Sequence, residues 1–164
     1  MPTTQQLAIT AEERFAIADT VARYCHAVDK HDKEEFVSVF AEDGYMGADM
    51  FGTYRGKDDT STGLRACYDM LKSELFSDGG EQQHHVVNTI LNRISADRIS
   101  MWAEWMFLVM YNGVPRPAAF GEYQDVFVRV GDEWLIESRI VTCAQGRGPQ
   151  PLRPDSPAQV ASGG

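Results

Sequence analysis

Two places in this 164-residue sequence put proton-transfer side chains where a purely structural pattern would put something else. The first is Asp29. It falls four residues after Cys25, seven after Ala22 and eleven after Ala18, so it continues the apolar stripe of a helical segment. A carboxylate there is either solvated at the helix end, beside the polar Lys30, His31 and Asp32, or held inside by a partner. The second is the pair His84-His85, at the start of an extended segment. Adjacent strand residues point to opposite faces, so one of these histidines must face the concave, helix-covered side. An inward aspartate and an inward histidine form a carboxylate–imidazole dyad. The carboxylate fixes the tautomer and supports the imidazolium, and the second ring nitrogen is left to act as general base or acid.

Other catalytic constellations are missing from the sequence. There is no CxxC, HExxH or HxxEH spacing, and four histidines with three scattered cysteines do not suggest a closed zinc site. No serine sits in a GxSxG elbow. Gly44, Gly47, Gly52 and Gly56 stand among strand-like aromatics rather than between a strand and a helix, so no phosphate loop and no nucleotide cofactor are expected. The expectation is a reaction with no cofactor and no metal.

The elements that must position these residues follow from periodicity. Thr10 and Glu13 have capping-box spacing, and a helix runs from there to about Lys30 with Phe15, Ala18, Val21, Ala22, Cys25 and Val28 as its stripe. Asp32 and Glu35 start a short second helix with Phe36, Val39 and Phe40 on its inner face and Gly44 closing it. The stretch 45–54 reads as a hairpin. Lys57 to Phe76 returns to helical spacing through Leu64, Cys67, Tyr68, Leu71 and Leu75, and stops at the Ser77-Asp78-Gly79-Gly80 breaker. Four strands follow at about 83–94, 98–111, 118–130 and 134–143, separated by turn-formers and therefore antiparallel neighbours. Helices first and a meander of strands second is the α+β pattern, with about three N-terminal helices packed on one face of a curved sheet. One domain spans 1–144, and the Gly- and Pro-rich stretch 145–164 reads as an irregular tail.

The strand 98–111 is apolar at both parities, so both its faces should be covered. One face packs around a pocket and the other suits an oligomer interface. Its Met and aromatic residues fit an apolar ligand cavity and also fit plain core.

Composition narrows the partners. Acids outnumber bases by 24 to 15, a formal charge of −9, which disfavours nucleic acid and anionic membrane surfaces. No apolar run approaches the ~20 residues of a membrane span. An odd number of scattered cysteines and the absence of a leader-like start point to the cytoplasm.

The segments Tyr24-Cys25-His26-Ala27-Val28-Asp29, Phe40-Ala41-Glu42-Asp43-Gly44 and Gly52-Thr53-Tyr54-Arg55-Gly56 stand in a telling order. His84 with Asn88, Gly121-x-Tyr123-x-Asp125 and Trp134-x-Ile136-x-x-Arg139 follow them. Over about 8–143 this resembles the SnoaL-like family of the nuclear-transport-factor-2-like superfamily. That family holds dehydratases, dehydrochlorinases, polyketide cyclases and the small subunits of ring-hydroxylating dioxygenases. The resemblance implies a cone-shaped α+β barrel with a deep apolar cavity, a homodimer or homotrimer, and a small hydrophobic, cyclic or aromatic ligand. It carries catalytic roles onto Asp29 and His84, preferring His84 over His85 because His84 shares a strand face with Asn88. Tyr24, Trp105 and Phe107 are then expected around the ligand, with Tyr45, Tyr54 or Tyr123 donating to an enolate-like oxygen. Arg139 would either meet an anionic or leaving group or pair outward with a carboxylate. Dehydratase members carry a second cavity histidine on the next strand; here that strand offers Trp, Met, Phe and Leu, so a single-base reaction is expected. The rival expectation is a non-catalytic ligand-binding or assembly module.

Overall fold

The computed structural model describes residues 8–48, 51–75 and 81–144. The expected tail 145–164 and the breaker 77–80 lie outside the described residues.

Helix α1 (Ala11–Asp29) starts at the expected capping box: the Glu13 amide donates to the Thr10 hydroxyl and the Thr10 amide donates to the Glu13 carboxylate. Its buried face is Ile17, Thr20, Val21, Tyr24, Cys25, Ala27 and Val28. The expected stripe is therefore rotated. Phe15 is 74% exposed, and Ala18 and Ala22 are exposed too. The tie that fixes the rotation is polar: the Thr20 hydroxyl donates to the Trp134 carbonyl at 2.6 Å, turning the Ile17–Val21–Tyr24–Val28 row inward. Apolar counting alone does not register such a bond.

Asp32 caps α2 (Lys33–Ser38), its carboxylate accepting from the Glu35 amide. Gly44 does not close this helix. Strand β1 (Phe40–Ala48) begins two residues after α2, and Gly44 lies within it at a register irregularity, where a Cβ would sit 2.8 Å from the Ala41 carbonyl oxygen. Strand β2 (Gly52–Arg55) completes the hairpin. Helix α3 (Leu64–Leu75) starts seven residues later than the apolar spacing suggests. Before it, the Asp58 carboxylate takes hydrogen bonds from the Thr60 amide and hydroxyl, a local pairing that competes with the helix.

Strands β3 (Gln82–Ser95), β4 (Arg98–Tyr111), β5 (Val114–Val130) and β6 (Glu133–Cys143) form an antiparallel meander, as expected. The largest shift is the start of β5, which takes Pro115 and Pro117 into the strand. The six strands run in the order β2-β1-β6-β5-β4-β3, with β1 and β6 parallel, and the curled sheet stays open at β2 and β3. Helix α1 crosses the concave side and touches both β6 and the edge strand β3. Helix α3 leans on β1 and β2. The result is an α+β cone whose core lies between α1, α2 and the inner faces of the strands.

Strand β3 contains an extra residue near its middle, besides a second irregularity between Arg93 and Ser95 at its end. Val87 opposes Glu104 and Ile90 opposes Trp102, so three steps on β3 match two on β4. Asn88 sits in this bulge at φ 52°, a left-handed conformation that asparagine tolerates better than most residues. Side chains before the bulge face inward at Gln82, His84 and Val86. After it the inward parity shifts to Leu91 and Arg93.

The inner face of β4 is closed: Ile99, Met101, Ala103, Trp105 and Phe107 are buried. Its other face is not covered within one chain. Trp102 is 45% exposed, and Met106, Met110, Val87, Ile90 and Phe120 are exposed beside it. Solvent-facing apolar clusters of this kind mark interaction surfaces.

Candidate active site

The end of α1 and the start of β3 meet at one point. Gln82 is buried and its amide donates to the Val28 carbonyl at 3.3 Å, holding the helix end against the strand. Asp29, one residue on, reaches His84 with both oxygens. Oδ2 accepts from the His84 backbone amide at 2.8 Å, and Oδ1 lies 2.6 Å from ring Nδ1. The two side chains are only 7% and 8% exposed, so Asp29 is the acid held inside by a partner rather than a solvated helix end. An ionised carboxylate only accepts hydrogen bonds, so Nδ1 carries the proton and Nε2 is the basic nitrogen of the neutral ring. His85 points to the opposite, exposed face of β3.

The His84 ring packs against Phe107, its cross-strand partner, at 4.6 Å between centroids. It lines an apolar cavity of about 40 Å³ together with Tyr24, Met46, Phe51, Leu71, Trp105 and Tyr123, among others. This volume holds about three waters, so a ring-sized ligand must displace side chains at the wall to enter. His84 also lines a groove of about 590 Å³ between α1 and β3, bordered by Ala18, Ala22, Asp29 and Val86. Among the described residues it is the one side chain shared by the cavity and the groove.

Of the ten residues singled out from the sequence, six meet here: Asp29, His84, Tyr24, Trp105, Phe107 and Tyr123. Four do not. Tyr45 lies on the other face of β1, under the Arg55 guanidinium and over Gly47, where a Cβ would touch its hydroxyl. Tyr54 opposes Met46 and packs half-buried against the core without reaching the cavity wall. Asn88 is turned by the bulge to the outer face, where its amide donates to Glu104. Arg139 is fully buried behind the cavity, bonded through Nε at 3.0 Å and Nη2 at 2.6 Å to both oxygens of Asp125. The rings of Tyr24 and Tyr123 stack on its guanidinium at 4.0 and 4.2 Å. Burial disfavours the Arg139 charge, yet the Asp125 carboxylate outweighs it and holds the guanidinium pKa above its ordinary value. Arg139 is thus inward, unlike an outward strand arginine, and already paired, unlike an anion receptor.

Met46, Phe51, Leu71, Ala119 and Val141 also line the cavity: strand register places Met46, Ala119 and Val141, while Leu71 comes from α3 and Phe51 from the turn before β2, and none of them stands out in the sequence as a site residue. Burial pushes the Cys25 and Cys67 thiols up to about 12, which leaves neither as a thiolate nucleophile at neutral pH. Among the described residues no group of three His, Cys, Asp or Glu side chains is placed to hold a metal ion. No helix among them is long and apolar enough to cross a membrane.

Solved structures share this architecture. A cystatin-fold protein of unknown function from Nostoc punctiforme PCC 73102 aligns with a TM-score of 0.71 at 19% identity, over 84% of this chain and 95% of that one. ActVI-ORFA from Streptomyces coelicolor aligns with a TM-score of 0.69 at 20% identity, over 80% and 98%. The beta subunit of a putative aromatic-ring-hydroxylating dioxygenase from Novosphingobium aromaticivorans DSM 12444 aligns with a TM-score of 0.59 at 18% identity, over 79% and 87%. At such identities these likenesses speak for the fold. No curated protein matches the chain by sequence. The model of the SnoaL-like domain matches residues 10–140, and the chain belongs to that family.

Proposed function

We propose that this protein is a cofactor-independent lyase or isomerase that removes a proton from carbon in a hydrophobic, cyclic substrate. The observation that carries this reading is the buried Asp29–His84 pair at the wall of an apolar cavity. His84 Nε2 takes the proton, and the C–H electron pair moves into the adjacent acceptor of the substrate. Asp29 stabilises the imidazolium through Nδ1–H. The electron pair then expels a leaving group, attacks within the substrate, or takes the proton back at another carbon; these outcomes are elimination, cyclisation and isomerisation. The protein works in the cytoplasm, as a homodimer or homotrimer joined through the exposed Trp102–Met106–Phe120 face.

Proton abstraction is measurable without the natural substrate. In D₂O the protein should catalyse deuterium exchange next to the carbonyl of 1-indanone, and His84→Ala should lower the rate on the order of 10²–10⁴-fold. Background exchange with the wild-type protein, or full exchange with His84→Ala, overturns the reading.

A second reading is an assembly module of the kind formed by dioxygenase small subunits. The uncovered apolar face of β3, β4 and β5 favours it. It requires co-purification with a larger iron-containing partner and no effect of Asp29 or His84 substitutions on activity.

A further inference from the structure

The sheet ends at β3, and the free edge of that strand opens into the groove beside α1. Gln82, Gln83, His84, His85 and Val86 all line the groove. Successive residues of a strand point to opposite faces, so a groove that touches all five takes in the edge of β3 as well as its inner face.

Register tells which backbone groups point there. The His84 amide donates to Asp29 and not to β4, so His84 and Phe107 form one of the non-hydrogen-bonded pairs of the ladder. Glu81 belongs to the alternate set, because its carbonyl accepts from the Met110 amide. Val86, two positions after His84 and opposite Trp105, therefore aims its amide at the free edge as well. That amide has no acceptor among the described residues. Asp29 shows what an amide on this edge can hold: a carboxylate oxygen, at 2.8 Å from the His84 nitrogen.

The groove also departs from the charge balance of the chain, which carries 24 acids against 15 bases. Elsewhere Arg23, Lys33, Arg65, Arg93, Arg98 and Arg139 each meet a carboxylate. Arg14 and Lys30 both line the groove, and neither forms an ion pair among the described residues. Asp29 is the one carboxylate in the described lining, and His84 already holds it. A lysine at a helix C-terminus is favourable without any ligand, so Lys30 alone would carry nothing. Here it stands one helical turn from His26 on the α1 wall, with the Val86 edge amide on the β3 wall. From Lys30 the groove follows α1 back to Arg14, about 24 Å along the helix. Its floor is apolar over that length, with Val21, Ile17, Leu91 and Met101, and the small Ala22 and Ala18 leave it open.

We infer that the groove between α1 and β3 binds a free long-chain carboxylate. The head group accepts from the Val86 amide beside Lys30 and His26, and the chain lies over Ala22 and Ala18 toward Leu91 and Met101. This is a second site, independent of the proton-abstraction reading, because it uses neither the cavity nor the free ring nitrogen of His84. The groove, at about 590 Å³, has room for such a chain, whereas the cavity, at about 40 Å³, does not. A membrane headgroup is not the source, since a chain of net charge −9 is repelled by an anionic surface and the concave groove admits single chains.

The test is titration of the ¹⁵N-labelled protein with sodium decanoate below its micellar concentration, followed by NMR. Decanoate should move the Val86, Ala18 and Ala22 amide resonances, with the Val86 amide going downfield. Decyltrimethylammonium, with the same chain and the opposite charge, should bind at least about fivefold more weakly. Butanoate, which keeps the head and loses six methylenes, should bind at least about tenfold more weakly. Lys30→Gln should weaken decanoate by about 1.5- to 5-fold, and Ala22→Trp, which fills the groove, by at least about tenfold. Both positions are exposed, so these variants keep the fold. No binding of decanoate, equal binding of the cationic amphiphile, wild-type affinity in either variant, or shifts centred on Trp105 and Phe107 in place of the groove overturns the inference. Deuterium exchange is read separately: its loss in His84→Ala bears on the reaction alone, and the decanoate titration bears on this site alone.

Discussion

Two carboxylates face the interior of this cone, and they hold their cationic or basic partners differently. Asp125 meets Arg139 with two parallel bonds, and tyrosine rings cover the guanidinium, so neither side chain has any exposed surface. Asp29 meets His84 with one bond to the ring and one to the backbone, and His84 keeps its other nitrogen beside both a cavity and a groove. The first pair uses its charges on each other; Arg139 Nη1 has no hydrogen-bond partner among the described residues, but Arg139 lines neither the cavity nor the groove. The second leaves a basic nitrogen on a ring that lines both. Burial and charge alone therefore do not identify a reactive pair; what matters is a lone pair or proton still available beside open space after the partner is satisfied.

Breaking either half of the Asp125–Arg139 pair should have the largest effect on stability. Asp125→Ala or Arg139→Met leaves a buried charge without its partner and should cost about 3–5 kcal/mol, read by denaturant unfolding. The double variant Asp125→Leu with Arg139→Met should be less damaged than either single one, because no orphan charge remains. A double variant that loses the sum of the two would show that the two side chains are not coupled.

The Asp29–His84 pair should behave in the opposite way. His84→Ala should abolish most proton exchange, and Asp29→Asn should lower it in the same direction, while unfolding midpoints move far less than for Asp125→Ala. If Asp29→Asn unfolded the protein as readily as Asp125→Ala, the two pairs would have the same structural role.

Surface pairs extend the comparison to weak coupling. The Arg23 guanidinium hydrogen-bonds Glu35 and holds its carboxyl pKa below the ordinary value. A carboxylate with a lowered folded pKa adds stability that is present above its unfolded value and lost as pH falls through the folded one. Such a half-exposed pair is worth about 0.2–1 kcal/mol, so Glu35→Gln should slightly flatten the fall in melting temperature on acidification below the ordinary value of 4.5. The smallest effect belongs to Phe15. Phe15→Ser should stay within about 0.5 kcal/mol of wild type, whereas Ile17→Ala, two residues on, should cost about 2–5 kcal/mol.

Phe15 also shows what the sequence conveys and what it does not. The four long strands were legible because alternation and turn-formers are local signals, and the Thr10–Glu13 cap was legible from spacing alone. The rotation of α1 was not, because it depends on a hydrogen bond from Thr20 to a residue 114 positions away. Gly44 looked like a helix stop because its strand partner, β6, lies far along the chain. In the site, Asp29 stood out as an acid in an apolar row. Arg139 stood out as a cation on a strand, but its partner could be read only from the opposition of Asp125 and Arg139 across β5 and β6. Asn88 was misplaced because a single inserted residue changes which face every later side chain takes.

That inserted residue gives β3 two reading frames joined in the middle. The first frame, ending at Val87, aims His84 inward to Asp29; the second aims Leu91 inward and turns Arg93 to the start of α1, where it bonds Glu13. Regular pairing of these same residues, with no bulge, would put both halves in a single frame. Either His84 would swing to the outer face or the Arg93–Glu13 tie would be lost, with Ile90 and Ile94 brought inside in its place. The left-handed turn at Asn88 is thus the constrained feature of this stretch, and residues that tolerate a positive φ, glycine and asparagine first among them, are the ones that keep both ends of β3 in place.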